Sequence, residues 1–149
     1  MLLAAIYESE RNYRDAMTIY RKVYRECPRG THLPWDARLK MGELAKKTTI
    51  DESRETIFSE VILAPHPFAR SRLKARFFSG EITEPQLTAH WIRLYPASRA
   101  YLHLIARKAL MNGEPAVARV YLQEYRQHLH HSTWEHARIQ RLLNEISGY

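Results

Sequence analysis

Basic side chains stand one helical turn apart in two pairs, Arg70 with Lys74 and His103 with Arg107. Guanidinium and ammonium groups donate charge-assisted hydrogen bonds to carboxylates, so such pairs suit the capture of an acidic segment. Lys46 and Lys47 add two more cations upstream, and Phe77, Leu110 and Met111 offer apolar contact to an extended peptide or a helix. The chemistry on offer is binding, not bond-making. No nucleophile elbow, phosphate loop, H-E-x-x-H or paired-carboxylate arrangement is present, so an enzyme is not expected. His128, His130, His131 and His136 gather near one helix end and could ligate a transition metal. Imidazoles there also suit the helix dipole, and no carboxylate completes a motif, so no metal and no cofactor are expected.

Bulk composition sets the limits. At 149 residues and 45% hydrophobic content the chain reads as one domain, 1–149, long enough to bury a core. A formal charge of +7 favours acidic peptides, nucleic acid or an anionic membrane surface as partners. Cys27 is the single cysteine, which excludes an internal disulfide and the cysteine-based metal patterns. The apolar run over residues 1–6 is too short for a signal peptide, and no run approaches the roughly 18 apolar residues of a membrane helix. That favours the cytoplasm and leaves the compartment open.

The elements that must position these residues are helices. Apolar spacing predicts them over about 2–10, 13–27, 35–47, 52–63, 67–78, 84–95, 98–111, 115–129 and 133–147. Between them stand Pro28, Gly30 and Pro34, then Pro65 and Pro67, Gly80, Pro96, and Gly113 with Pro115. Thr83 with Gln86, and Ser132 with Glu135, match the capping box that satisfies free amides at a helix start. No alternating run argues for strands. The fold class is all-α.

The helices also repeat. The first-helix position that is small in Ala4, Gly42 and Ala106, and carries Leu73 in the third copy, recurs at spacings of 38, 31 and 33 residues. Twelve residues on stand Ala16, Arg54, Pro85 and Ala118; sixteen on stand Tyr20, Phe58, Ala89 and Leu122; nineteen on stand Val23, Val61, Ile92 and Tyr125. A period of about 34 predicts helical hairpins, in which small residues let two helices cross closely while large ones fill the gap beside them. The long first spacing places an insertion at 29–34.

On these residues the chain resembles the tetratricopeptide repeat family. Copy one carries Leu3, Ala4, Tyr7, Asn12, Tyr13, Ala16, Tyr20 and Pro28; copy four carries Leu102, Ile105, Ala106, Ala109, Gly113, Ala118 and Leu122. Copy two keeps Met41, Gly42, Ala45 and Phe58 but has Arg54 at a small site. Copy three is poorest, with Arg72, Arg76 and Pro85 where apolar or small residues are usual. The resemblance implies a right-handed α-solenoid of about four hairpins, capped by a last helix through Trp134, Ile139, Leu142 and Ile146. Leu2, Leu3 and Ile6 would lie at an unpaired edge, so the chain is expected to be the C-terminal part of a longer solenoid.

In such a stack the first helices line a concave face. Leu39, Glu43, Lys46 and Lys47, then Arg70, Lys74, Phe77 and Phe78, then His103, Arg107, Leu110 and Met111 are expected to face inward. The resulting groove of Lys46, Lys47, Arg70, Lys74, Phe77, His103, Arg107 and Met111 implies a protein–protein scaffold or adaptor for an acidic or carboxylate-bearing segment. The asparagines used by the family for peptide-end recognition are absent. Helical-repeat RNA readers have a similar period, and nine tyrosines beside 23 lysines and arginines suit stacking beside phosphates, so nucleic-acid binding on the basic face is the alternative.

Overall fold

Nine helices follow one another in the described residues: α1 (Leu2–Ser9), α2 (Tyr13–Glu26), α3 (Leu33–Leu44), α4 (Arg54–Leu63), α5 (Ala69–Phe78), α6 (Glu84–Leu94), α7 (Tyr101–Met111), α8 (Pro115–Gln127) and α9 (Trp134–Ser147). The structure is a computed structural model that describes residues 1–147; the last two residues of the 1–149 span, Gly148 and Tyr149, lie outside the described residues. No described helix is long and apolar enough to cross a membrane. The chain divides into two compact units, Met1–Ile82 and Thr83–Tyr149, and the division falls inside copy three, the weakest of the repeats.

In the first unit each helix packs on the next, and α3 also packs on α5. Ala4 of α1 and Ala16 of α2 are both fully buried, and Tyr20 fills the space beside them while its hydroxyl donates to the Glu8 carboxylate. Gly42 of α3 lies against the ring of Phe58 on α4, sixteen residues on, as Tyr20 is from Ala4. Asn12 and Ser53 begin α2 and α4 by accepting the backbone N–H of Asp15 and Thr56.

Two arginines that break the repeat pattern turn out to satisfy helix ends. Arg54 Nε donates to the Gly42 carbonyl at 3.1 Å, in the last turn of α3. Arg72 donates to the carbonyls of Ile62, Ala64 and His66 at 2.8–3.0 Å, holding the C-terminal end of α4. Terminal carbonyls have no partner inside their own helix, so a guanidinium with its fixed fork of donors can replace the apolar residue expected there.

In the second unit α7 and α8 form the closest match to the expected hairpin. Ala106, Ala118 and Leu122 are fully buried and Tyr125 nearly so. α9 covers them with Ile139, Leu143 and Ile146. Leu143 takes the place expected of Leu142, and Trp134 is 57% exposed, so the face predicted for this helix is corrected at two positions. The Ser132–Glu135 box does not form: Ser132 Oγ meets His130 Nδ1 at 2.6 Å, and Thr133 instead accepts the His136 N–H at 3.2 Å. The Thr83–Gln86 box forms as predicted and starts α6. Along α6, Leu87 and Trp91 are buried, whereas Ala89 is exposed and Ile92 is 42% exposed. A leucine and a tryptophan one turn apart remove far more apolar area from water than an alanine and an isoleucine, so they set the helix rotation.

Candidate functional site

The expected inward stripe of α3 is rotated. Leu39 and Glu43 are buried, and the partly open side of the helix carries Asp36 and Lys40. Both are engaged within the unit. Lys40 Nζ stands 3.5 Å from Glu8 of α1, and Asp36 accepts from Ser71 Oγ of α5 at 3.3 Å. Acidic side chains are therefore interleaved with the cations, and the first-helix surface of this unit is less uniformly basic than the sequence implied.

Of the eight residues singled out for a groove, five lie in the first unit and three in the second. Lys46 and Lys47 follow the end of α3 and are exposed, with Lys47 Nζ 4.7 Å from the centre of the Tyr13 ring. Arg70, in the first turn of α5, is exposed; Lys74 is partly covered. Phe77 is 2% exposed and packs beside Phe78, which corrects its assignment as an apolar contact for a ligand. In the second unit Arg107 and Met111 are partly covered. His103 is buried, stacked on Tyr125 with ring centroids 5.9 Å apart, and Arg138 Nη2 lies 3.2 Å from its Nδ1. It holds α9 to α7 and α8, and does not offer its ring to a partner. His128, His130 and His131 are exposed and His136 is partly covered, with His130 and His131 stacked on each other.

An ion cluster around the buried Arg38 organises the other side of the first unit. The Arg38 guanidinium is almost wholly enclosed, donating to Glu60 Oε2 at 2.6 and 2.9 Å and to both carboxylate oxygens of Glu52. Tyr24 of α2 donates to Glu60, and its ring lies 4.6 Å below the Arg38 guanidinium. The hydrogen bond from Arg38 holds the Glu52 carboxyl below the usual range, with Arg21 and Arg25 adding to the effect. Burial pushes Glu60 up. The cluster joins α2, α3 and α4, and Arg21 and Arg25 of α2 lie near enough to act on its Glu52 carboxylate.

The outer side of α2 is a surface the sequence reading passed over. Arg14, Lys22 and Arg25 stand on the exposed side of α2, away from the packed Ala16 and Tyr20, and Arg21 lies at its edge, one turn from the buried Met17. Its signal in the sequence is cations at helical spacing on a helix whose other face carries the repeat-packing residues.

In the second unit the N-terminal end of α6 meets α8 where Tyr121 donates to Glu84. This hydrogen bond, with partial burial and the nearby charges of Glu84 and Glu124, pushes the Tyr121 phenol up to about 12. Burial pushes the Lys108 ammonium down, and the Glu84 charge opposes that shift. The arrangement is a structural clamp between helices. No protein-family model, curated protein or solved structure matches this chain.

Proposed function

We propose that the chain is a tetratricopeptide-like solenoid acting as a protein-interaction module, which holds an acidic or carboxylate-bearing segment against cations of its first helices and carries out no covalent chemistry. The repeat supports the architecture. Ala4 with Tyr20, Gly42 with Phe58, and Ala106 with Leu122 are each sixteen residues apart, and all six are buried. The observation that carries the function is the exposure of Lys46, Lys47 and Arg70 in the first unit, where none is drawn into the core. Exposed cations add attraction and on-rate for an acidic partner, and that contribution falls as salt rises.

The test is a titration of a fluorescent glutamate-rich peptide with a free carboxylate, followed by anisotropy. The triple variant Lys46→Glu, Lys47→Glu and Arg70→Glu is expected to melt as the parent does and to bind about tenfold or more weakly. Equal affinity of parent and variant removes this surface from the proposal.

A further inference from the structure

The outer face of α2 goes beyond that reading. Arg14, Arg21, Lys22 and Arg25 fall within an arc of about 100° and span about 16 Å along the helix axis. Arg14, Lys22 and Arg25 are exposed and Arg21 is partly covered. None of the four side chains makes a hydrogen bond or salt bridge among the described residues. The carboxylate that responds to Arg21 and Arg25 is Glu52, and both of its oxygens already accept from Arg38. Asp15, on the flank of the strip, accepts from Asn12 Nδ2 at 2.6 Å. Thr18, in the middle of the strip, turns its hydroxyl back to the Arg14 carbonyl at 3.0 Å. Four cations thus share one helix face, with Asp15 and Glu26 on one flank and Glu52 near Arg21 and Arg25.

What surrounds them selects the ligand. No large apolar side chain of α2 is exposed; the exposed ones of this unit lie on other segments, among them Leu2, Leu3 and Ile6 of α1. The strip therefore has no aromatic anchor of the kind that dominates protein interfaces, no ring on which unpaired bases could stack, and no wedge to enter a bilayer. A row of cations without apolar neighbours recognises backbone charge. Arginine matches the oxygens of a phosphodiester through paired N–H donors, and duplex binding through phosphates needs no contact with bases.

We propose that the outer face of α2 docks on the phosphate backbone of double-stranded nucleic acid without reading its sequence. The experiment uses the full chain with a mixed-sequence DNA duplex and the matching RNA duplex, read by anisotropy across a salt series. Four phosphate contacts predict a log–log salt slope of about −3.6. The pair Arg21→Gln and Arg25→Gln should flatten that slope by about 1.8, and the separate pair Arg14→Gln and Lys22→Gln, away from Glu52, should do the same. Lys46→Gln, Lys47→Gln and Arg70→Gln together should leave it unchanged, which separates this strip from the surface proposed above. The DNA and RNA arms show which backbone geometry the strip prefers. No binding to either duplex at low salt overturns the proposal, as does a slope indifferent to both α2 pairs. Capture of a glutamate-rich peptide that depends on the α2 pairs, with no duplex bound, reassigns the strip to an acidic protein.

Discussion

Gly42 and Phe58 touch so closely across α3 and α4 that a Cβ on the glycine would stand 2.8 Å from the ring Cζ and nearer still to Cε1. The ring has little room to yield. Phe58 is 1% exposed and Phe78 lies 5.7 Å away, centroid to centroid. Glycine inside a helix gives up about 0.5–1 kcal/mol relative to alanine, yet overpacking a filled core costs about 1–3 kcal/mol. Gly42→Ala is therefore expected to lower stability in urea unfolding despite its gain in helix propensity. An unchanged or higher midpoint would mean that the two helices separate freely at this crossing.

The two carboxylates that accept from Arg38 contribute to acid-side stability with opposite signs, Glu52 through the Arg38 hydrogen bond and Glu60 through burial. Glu52 has a lowered pKa, so its stabilisation is present above its ordinary value of 4.5 and is lost as pH falls through the lower folded value. Glu60 has a raised pKa, so its contribution is present at acid pH and is lost as pH rises through its folded value. Glu52→Gln should make the acid limb of the stability profile shallower, and Glu60→Gln should make it steeper. Thermal melts across the acid range check both, and equal limbs would contradict the assignment.

α9 should behave as a cap whose inner and outer faces differ sharply. Ile139 is fully buried, and Ile139→Ala is expected to cost about 2–5 kcal/mol. Trp134 is 57% exposed, with Arg138 5.5 Å from its ring centre, and Trp134→Ala is expected to change stability by no more than about 0.5 kcal/mol. Comparable losses in the two variants would show that the tryptophan is covered after all.

The Tyr121–Glu84 hydrogen bond predicts an alkaline transition. A phenol raised from 10 to about 12 contributes stability that is fully present below pH 10 and is lost as pH rises through about 12. Absorbance titration of the phenolates should show late-titrating groups, since burial also pushes Tyr125 up, and the component near 12 should disappear in Tyr121→Phe. In Glu84→Gln the same component should titrate earlier, since the acceptor's charge is gone.

Helix positions were legible in the sequence because their causes are local. Apolar spacing, the Thr83–Gln86 box and the placement of proline and glycine all act within a turn or two, and the nine observed helices fall close to the nine predicted ones. Rotation was legible where side-chain size left one solution. Ala4 with Ala16, and Ala106 with Ala118, can meet only on a close crossing, and each of these residues is fully buried. It was not legible in α6, where Leu87 and Trp91 offered more buried area than the residues expected from the repeat.

Tertiary structure alone decided which charges are available. Nothing local says that Arg38 is enclosed by Glu52 and Glu60, that Lys40 meets Glu8, or that Arg54 and Arg72, at sites where the repeat has small or apolar residues, bind carbonyls at helix ends. Each of these contacts joins residues from different helices or loops. The same holds for Phe77 and His103, whose helical spacing matched a binding face but whose neighbours bury them. The sequence by itself determined an all-α chain, the approximate positions of its helices and its small-to-large crossings, since those follow from backbone propensity and side-chain volume. Which cations remain unpaired at the surface depends on where the carboxylates of other helices arrive, and only the folded arrangement settles that.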